Sequence, residues 1–467
     1  MTVELRDYQQ NIISDAREAL KTHRRVLIQA PTGAGKTVLA SFMAQNAAKR
    51  GRRVFFVCHR RELIDQTSRT FHACDIEHGY IAAGYPRSNL MHVQIASVDT
   101  LKNRLESVLP PDIVIWDEAH HLAAGGWTRV YQHYNRAFHV GLSATPERLD
   151  GRGLDDKFDA LIPGPSVSWL MENGFLANYR LFSIPGVDMT GARTVAGDFS
   201  ARDSERAMDK AKIVGDIVRH WRKYASDKIT IGFAVSIRHS QAIVERFKAA
   251  GIPAAHLDGN TKKEERRRTL QALARGELQV VWNVGLFGEG YDLASNAGID
   301  VSIGCVIDAA PTQSLSRYLQ RCGRALRPQE SKAVILDHAG NALRHGLPCE
   351  ERTWTLEGRD VQDKNSENSE PVRQCPECFA VHKPFPQCPE CGYQYVIEAR
   401  EDPNEVDAEL EEVDSALMRH IRSELKREQA RAETLRQLIS LGQSRGYRNP
   451  VAWARHVYNA RVAKRMA

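Results

Sequence analysis

Short apolar runs separated by helix-length amphipathic stretches occur in two series along this chain, and this repeat restricts the possible fold most strongly. The first series is VLIQA at 26–30, VFFVC at 54–58, IVIW at 113–116 and VGLSA at 140–144. The second is ITIGFA at 229–234, LQVVWNV at 278–284, SIGCVI at 302–307 and AVILD at 333–337. Near-continuous apolar strands that alternate with helices are typical of parallel sheets covered on both faces. The sequence therefore predicts two tandem α/β domains.

The length and composition agree with several globular domains. A chain of 467 residues exceeds the roughly 250 to 300 residues at which a single hydrophobic core stops growing. An apolar share of 42% and a charged share of 26% argue against wholesale disorder. No apolar run in the sequence approaches the roughly 20 residues of a membrane span, and the N-terminus lacks the pattern of a secretory signal. These features predict a cytoplasmic protein without a membrane partner, and the net charge of +6 does not by itself indicate a polyanionic one.

Polar segments mark the boundaries of the predicted domains. Residues 185–204 are rich in Gly, Asp, Ser and Thr and suit a connector, while 357–373 contain almost no apolar residue and suit a flexible linker. This linker is expected to separate the α/β domains from a cysteine-containing segment. The predicted order is a first α/β domain at 1–184, a connector at 185–204, a second α/β domain at 205–356, a linker at 357–373, a cysteine segment at 374–396 and a tail at 397–467.

The string APTGAGKT at 30–37 follows an apolar strand and opens a helical stretch, the context of a phosphate-binding loop. Its backbone amides can wrap phosphate oxygens, and the N-terminus of the helix adds the positive end of its dipole. Lys36 would neutralise the β- and γ-phosphates of ATP, and the Thr37 hydroxyl would hold Mg²⁺. The predicted nucleotide-binding residues of the loop are Pro31, Thr32, Gly33, Ala34, Gly35, Lys36 and Thr37.

The string DEAH at 117–120 comes directly after the apolar strand IVIW. A carboxylate at the end of that strand can reach the same metal ion, so Asp117 is a predicted Mg²⁺ ligand. Glu118 is then placed to orient and deprotonate the attacking water, because phosphoryl transfer depends on positioning and charge neutralisation. Alone, the string would fit equally a strand that ends in a solvated acidic turn. The preceding phosphate loop favours the catalytic interpretation.

The string QRCGRALR at 320–327 supplies positive charge from the second predicted domain. Arg324 and Arg327 are three residues apart, which would place them on one face of a helix as arginine fingers. Such fingers typically contribute about 10³ to 10⁵ in rate. A solvated basic helix face is the alternative. Together with the loop and DEAH, the pattern predicts Lys36, Asp117, Glu118, Gln320, Arg324 and Arg327 as catalytic residues.

A series of motifs in order along residues 5–340 resembles that of superfamily 2 helicases and translocases of the DEAD/DEAH-box type. LRDYQ at 5–9 is similar to the adenine-reading segment of the family, which implies this role for Gln9. SAT at 143–145 resembles the element that links nucleotide state to domain motion. NVGLFGEGYD at 283–292 implies that Gly290 and Asp292 lie beside the ribose. VCHRRELIDQ at 57–66, ASVDTL at 96–101 and FAVSIRHS at 233–240 resemble segments that contact the backbone of a nucleic-acid strand.

This resemblance implies two RecA-like domains that hydrolyse ATP with Mg²⁺ and act on nucleic acid. QRCGRALRP, AVILDHAGN and the cysteine group that follows are most similar to RadD-like bacterial and phage-encoded DNA helicases. The nearer resemblance favours DNA as the substrate, in repair, recombination or replication. RNA stays open as a substrate, because backbone contacts can serve either polymer. A nucleotide-gated clamp or adaptor that binds DNA without processive movement is the other alternative.

The spacing CPEC, nine residues, CPECG gives two knuckles whose thiolates can surround one Zn²⁺ tetrahedrally, as in a zinc ribbon. Four ligands fill the coordination shell, so the predicted metal is structural. Redox-active or incidental cysteines are the alternative. Between the knuckles, Lys383 and Phe385 could contact nucleic acid, although they would also suit an ordinary surface. The predicted ligands are Cys375, Cys378, Cys388 and Cys391.

The tail changes from acidic to basic. Residues 398–414 carry nine Asp or Glu against one Arg, and residues 415–467 carry twelve Lys or Arg against three Glu. Apolar residues at helical spacing over 415–441 predict a helix. This helix would be either an arm that follows phosphates or docks a protein partner, or an amphipathic helix packed on the rest of the protein. The zinc segment is a second candidate surface for a protein partner.

Overall fold

The computed structural model describes residues 4–358 and 372–395, with gaps at 149, 185–186, 188, 196, 211–213, 289–292, 294–296 and 300. Towards the C-terminus it also describes 428–429, 431–432, 434–444, 450–451, 454–455 and 457–458. These residues belong to two compact units, Met1–Val396 and Ile397–Ala467. Among the described helices, none has the length and apolarity needed to cross a membrane.

A seven-stranded parallel sheet forms the first α/β domain. Its strands are β1 (Arg25–Gln29), β2 (Val54–Cys58), β3 (His78–Ile81), β4 (Val93–Ser97), β5 (Ile113–Asp117), β6 (Phe138–Ser143) and β7 (Ala160–Pro163). They are arranged in the order β3-β4-β2-β5-β6-β1-β7. The four strands predicted from apolar runs lie together in the middle of this order, where both faces of a sheet are buried.

Helices cover both faces of this sheet. They are α1 (Asp7–Ala19), α2 (Lys36–Ala48), α3 (Arg61–Ala73), α4 (Val98–Leu101), α5 (Gly125–His133) and α6 (Val167–Glu172). Successive side chains along a strand point to opposite faces, so alternate strand residues enter different cores. Phe56 and Ile115 pack with Leu39 of α2, whereas Phe55 and Trp116 pack with the aromatic and aliphatic side chains of α5.

A six-stranded parallel sheet forms the second α/β domain. Its strands are β8 (Tyr179–Ser183), β11 (Thr230–Ala234), β12 (Ala254–Leu257), β13 (Val280–Asn283), β14 (Cys305–Ala309) and β15 (Ala333–Asp337), in the order β12-β13-β11-β14-β15-β8. A small hairpin of β9 (Thr194–Val195) and β10 (Asp198–Phe199) lies between β8 and β11 in the chain. The helices are α7 (Ala201–Lys210), α8 (Val214–Ala225), α9 (Ile237–Ala249), α10 (Lys263–Ala274), α11 (Leu315–Cys322) and α12 (Asn341–His345). The predicted pair of tandem parallel-sheet domains is confirmed.

The boundary between the two sheets differs from the one predicted at residue 184. Strand β8 pairs with β15 along its whole length, so Tyr179–Ser183 belongs to the second sheet. This boundary is not visible in the sequence, because the residues typical of a connector follow β8 instead of preceding it. The predicted connector at 185–204 contains the β9-β10 hairpin and the start of α7.

The end of the second predicted domain also returns to the first. The backbone amide of Leu154 donates to the carbonyl of Leu356 at 2.7 Å, and Arg152 forms an antiparallel bridge with Gly358. Gly153 permits this contact, because a Cβ there would lie 2.0 Å from the Leu356 carbonyl oxygen. Most of the predicted linker, 359–371, lies outside the described residues.

The cysteine segment forms a small hairpin of β16 (Arg373–Gln374) and β17 (Val381–His382) with a second turn after it. The expectation that a linker keeps this segment apart from the α/β domains is wrong. The Ser183 amide donates to the Phe379 carbonyl at 3.1 Å, and Phe182 forms an antiparallel bridge with Ala380. Tyr224 also donates its hydroxyl to the Cys378 carbonyl at 3.1 Å. The segment therefore covers the backbone of β8, which would otherwise be an open sheet edge.

In the second unit, helix α13 (Leu435–Ser444) packs with the segment around residue 454. Ala432, Leu438 and Ala454 are its buried residues. The acidic stretch at 398–414 and most of the helix predicted over 415–441 lie outside the described residues. Of the described residues in that range, 428–429, 431 and 435–441 are helical, whereas Ala432 and Thr434 are not, so the predicted helix is interrupted there.

Candidate active site and metal centre

The phosphate loop connects β1 to α2 through two glycines in left-handed conformations. Gly33 has a φ of 91° and Gly35 a φ of 84°, values that residues with a side chain rarely adopt. A Cβ on Gly33 would lie 2.7 Å from Leu176 Cδ2, and one on Gly35 would lie 2.5 Å from Gln9 Nε2. Gly35 is also the N-cap of α2, so the unpaired amides of the first helical turn face the loop. The local fold thus presents backbone donors to an anion.

Two side chains of α1 support this loop. The Tyr8 hydroxyl and the Gln9 Nε2 both donate to the Ala34 carbonyl, each at 3.0 Å. The Gln9 Oε1 accepts the Arg6 backbone amide at 3.1 Å, which fixes the orientation of the side-chain amide. Gln9 is therefore joined to the phosphate loop. Tyr8 was not singled out from the sequence, although it belongs to the same LRDYQ string.

The acidic pair lies at the end of β5, where the strand reaches the loop. Asp117 is the last strand residue, and Glu118 follows with a left-handed φ of 50°. Both side chains are buried. Burial, and next the charge of Glu118, raise the pKa of Asp117 to about 7, while Lys36 acts in the opposite direction. A nearby cation would stabilise the charged form of such a buried carboxylate, as a bound metal ion does for its carboxylate ligands.

DEAH and SAT are linked by side chains. The Glu118 Oε2 lies 3.5 Å from the His120 Nδ1, and the same nitrogen lies 3.3 Å from the Ser143 hydroxyl. That hydroxyl donates to the Thr145 carbonyl at 2.6 Å. The catalytic carboxylate candidate is thus joined through His120 to the element at the end of β6. A displacement of this element would change the position of Glu118.

One cavity of about 450 Å³ brings most of the predicted site residues together. One wall comes from the first domain, with Thr32, Gly33, Gly35, Lys36, Thr37, Asp117 and Glu118. The opposite wall comes from the second domain, with Gln320, Arg324 and Arg327. Pro31 lines a neighbouring cavity, and Ala34 is buried behind the loop. Gly290 and Asp292 lie outside the described residues.

The arginines do not lie on a helix, contrary to the prediction. Helix α11 ends at Cys322 with Gly323 as its C-cap, and the chain continues in tight turns towards Pro328. Glycine at a helix end and proline shortly after it both disfavour continuation of the helix. Arg324 and Arg327 nevertheless line the same cavity. The Arg324 guanidinium donates to the Gly288 carbonyl, which holds it beside the segment at 283–292.

Gly323 of the second domain lies close to the phosphate loop. A Cβ on Gly323 would lie 2.7 Å from the Thr32 Cβ. The Gln320 side-chain nitrogen is buried without a hydrogen-bond partner among the described residues. Val301 and Ser302 complete the wall but were not predicted, because they precede β14 without a nucleotide-binding pattern.

Two family models match this chain. "Type III restriction enzyme, res subunit" matches residues 2–148, and "Helicase conserved C-terminal domain" matches residues 209–329. A "51.5 kDa protein" of a Lactococcus phage (isolate 7-9) is 34% identical over 392 residues, which cover 82% of this chain and 81% of that protein. The "Putative ATP-dependent helicase IRC3" of Saccharomyces cerevisiae is 29% identical over 364 residues, or 72% of this chain and 51% of that protein. The chain belongs to helicase superfamily 2.

The helicase also shares its fold with the structure described as "ATP-dependent Type ISP restriction-modification enzyme LlaBIII bound to DNA". That match has a TM-score of 0.55 at 18% identity and covers 72% of this chain but 28% of the other. The chain spans about half of the yeast relative, 51%. Membership in the superfamily makes the chain an ATP-hydrolysing enzyme that acts on nucleic acid, with Mg²⁺ as its cofactor. The nearer resemblance to RadD-like helicases stays a prediction.

The helicase has a second site in the ribbon. The Sγ atoms of Cys375 and Cys391 are 3.6 Å apart, those of Cys378 and Cys388 are 3.7 Å apart, and all four lie within 4.8 Å of one another. A disulfide would require a separation of roughly 2.05 Å. Four thiolates at roughly 2.3 Å from one tetrahedral ion would be separated by roughly 3.8 Å. The cluster therefore has the shape of a four-thiolate metal site.

Proposed function

We propose that this helicase is an ATP-dependent DNA translocase or unwinding enzyme whose two α/β domains close on Mg·ATP and shift their grip along a strand. The observation that carries the proposal is one cavity that residues of both domains line. Its walls hold the phosphate loop and the acidic pair on one side and Gln320, Arg324 and Arg327 on the other. A nucleotide bound there would contact both domains, so hydrolysis and domain movement would be coupled.

The first domain supplies most of the nucleotide contacts in this proposal. The amides of the phosphate loop bind the phosphates, and Lys36 neutralises their charge. Thr37 and Asp117 would hold Mg²⁺, which would withdraw charge from the phosphate oxygens. Their fit to the ion rests on the position of both side chains in the cavity and on the burial of the Asp117 carboxylate. Glu118 orients the attacking water and accepts its proton, and Gln9 reads the base.

The second domain supplies the charge that stabilises the transition state. Arg324 and Arg327 act as fingers from the same chain, and Gln320 donates its buried amide to the phosphate or to the water. Arg324 suits this role, because the residue lines the cavity and is only 8% exposed. A protein that served only as a nucleotide-gated clamp would not need this full set of catalytic side chains. The clamp stays an alternative that the assay described here would separate.

DNA is the proposed polymer. The structure of similar fold is described as bound to DNA, and the sequence resembles RadD-like DNA helicases. Contacts to phosphate and sugar give an affinity that does not depend on the base sequence, so movement along a strand of any base sequence is expected. RNA is the alternative polymer. A role in repair, recombination or replication, and a protein partner at the ribbon or tail, stay predictions.

We also propose that Cys375, Cys378, Cys388 and Cys391 hold one structural Zn²⁺. The thiol separations support a tetrahedral ion, and four thiolates leave no coordination position for a substrate or water. The ion would stabilise the two turns of the ribbon, which has few apolar residues of its own.

The proposed function is tested by ATP hydrolysis with no polymer, single-stranded DNA, duplex DNA, forked DNA or RNA. The rate of ATP hydrolysis by the wild type is expected to rise with one form of DNA. The rate of Lys36→Ala is expected to stay at background with every polymer. Lys49→Ala is the matched control, because Lys49 is an exposed residue at the other end of α2. A response to RNA alone would replace DNA by RNA. Hydrolysis that ignores every polymer would favour the clamp.

A further inference from the structure

The ribbon carries an exposed aromatic ring that neither the nucleotide site nor the metal site uses. Phe385 is 48% exposed and lies in the string KPFPQ at 383–387, all of which is exposed. Single exposed apolar residues are normal on protein surfaces, so exposure alone assigns no function to Phe385. The surroundings of this ring distinguish it from an ordinary exposed side chain.

The backbone on both sides of Phe385 is held in place. Arg373 Nη1 donates to the Phe385 carbonyl at 3.3 Å, and the Tyr395 amide donates to the Pro386 carbonyl at 3.1 Å. Pro384 and Pro386 fix their own φ angles, which restricts the turn further. An element ordered in this way before binding loses little conformational entropy when it meets a ligand.

The Phe385 ring has a neighbouring ring and is partly exposed. The His382 ring lies nearly parallel to it, with the centroids 6.1 Å apart and an angle of 24° between the planes. His382 is itself fixed, because its Nε2 lies 2.9 Å from the Tyr395 hydroxyl. Since about half of the Phe385 surface is exposed, a flat ligand can reach the ring.

Positive charge lies beside this ring. Lys383 is exposed two residues away, and the Arg373 guanidinium lies 4.4 Å from the Tyr395 ring centroid. Glu390, an acidic neighbour on the second knuckle, pairs with Arg180 of β8 at 2.6 Å and so directs its charge towards the α/β domain. An aromatic ring next to cations is the combination with which proteins hold unpaired bases and their phosphates.

The ribbon lies at a functional edge of the second sheet. It contacts β8 at Ser183, the carboxyl end of that strand. The carboxyl ends of parallel strands meet at one edge of a sheet. The same edge carries the segment that follows β11, which the family resemblance implies as a backbone contact. Strand β8 is three places from β11, a distance of roughly 14 Å at the usual strand spacing.

We propose that Phe385 is a stacking platform for one unpaired base of the nucleic-acid strand, with Lys383 beside an adjoining phosphate. This inference rests on the proposed function, because the strand is the polymer on which the helicase acts. A single ring fits a base better than a protein partner. One base needs only one aromatic face, whereas a stable protein interface buries roughly 800 Å² on each side.

The test measures the affinity of the full chain for a fluorescently labelled single-stranded oligothymidylate at several salt concentrations. Phe385→Ala and Phe385→Leu are expected to weaken binding roughly 5- to 100-fold, while Phe385→Trp retains it. The slope of log affinity against log salt should stay unchanged in all three variants, because stacking releases no counterions. Lys383→Gln should instead reduce that slope by roughly 0.7. The zinc content of each variant is measured to show that the ribbon is intact.

Wild-type affinity in Phe385→Ala would overturn the platform, and an unchanged slope in Lys383→Gln would overturn the phosphate contact. Retained affinity in Phe385→Leu together with lost affinity in Phe385→Ala would also overturn the platform. Leucine preserves apolar contact but has no aromatic face on which a base can stack. Failure of the proposed function gives a different result. In that case wild-type ATP hydrolysis would not respond to any polymer, whatever the affinity of the Phe385 variants.

Discussion

At the scale of single residues, Glu118 shows how backbone geometry and chemistry coincide. Its left-handed φ of 50° is unfavourable for a residue with a side chain and costs about 1 to 2 kcal/mol. Such strain persists where the surrounding structure determines the conformation, and it concentrates at functional sites. The turn directs the carboxylate to the His120 Nδ1, 3.5 Å away. The string DEAH predicted the chemistry of this position but not its backbone conformation.

Glu118→Gln should reduce ATP hydrolysis at least about 100-fold while nucleotide binding is retained. The amide preserves the size of the side chain but cannot accept a proton from water. An ATP hydrolysis assay measures the rate, and the binding of a fluorescent ATP analogue measures the affinity for nucleotide. Glu106→Gln is the control, because that side chain is 91% exposed and far from the motif. Loss of nucleotide binding in Glu118→Gln would assign the residue to structure instead of catalysis.

Gly323 offers a second test at this scale. Gly323→Ala would place a methyl group 2.7 Å from the Thr32 Cβ, so the second domain could not approach the phosphate loop as closely. We expect at least about a tenfold fall in the rate of ATP hydrolysis, because the fingers act through close placement at the phosphate. Gly259→Ala serves as the control, since a Cβ there has no neighbour within 4 Å. Equal rates in both variants would show that this approach is not needed for hydrolysis.

Most of the site could be predicted from the sequence because local strings carry it. The phosphate loop, Asp117 and Glu118 follow buried strands directly, so their order along the chain fixes their place in space. Leu176, Val301 and Ser302 could not be found in this way. They reach the loop or the cavity only through long-range packing, and no residue type among them signals nucleotide binding.

At the scale of helices and strands, burial decided what could be predicted. The central strands β2 and β5 are apolar and buried, so a continuous apolar run identifies them. The edge strands β3 and β7 are short and alternate in burial or are partly exposed, which leaves no such run. The predicted first domain, 1–184, includes the residues of β8, because only the pairing of this strand with β15 shows that it belongs to the second sheet.

The docking of the ribbon on β8 predicts that the metal stabilises the second α/β domain. Cys375, Cys378 and Cys388 pack in the same core as Phe182 and Val334. Cys388→Ser should release the ion and lower the melting temperature by roughly 4 to 8 °C, the effect of about 2 kcal/mol in a domain of this size. Zinc content and thermal unfolding are the measurements, with Cys349→Ser as a control outside the cluster. Full loss of zinc with an unchanged melting temperature would show that the ribbon folds independently of the domain.

At the scale of the whole first unit, the two α/β domains meet at a second place besides the nucleotide cavity. Arg266 Nη1 of α10 lies 3.0 Å from Glu62 Oε1 of α3, and Lys263 Nζ lies 2.8 Å from Asp65 Oδ2. Both carboxylates belong to VCHRRELIDQ, the string that the family resemblance assigns to strand contact. Its acidic residues thus bind the second domain. A segment that contacts both the strand and the other domain can transmit domain closure to the strand.

Charge reversal at this interface should affect the response to nucleic acid more than hydrolysis itself. Glu62→Lys and Arg266→Glu each place like charges together, so each should weaken the closed arrangement by about 1 kcal/mol, a value suited to a partly exposed pair. The double variant restores opposite charges and should recover the response. Polymer-stimulated ATP hydrolysis, divided by hydrolysis without polymer, measures the coupling. If the double variant were as impaired as the sum of the single variants, the two residues would act independently, and this ion pair would not carry the coupling.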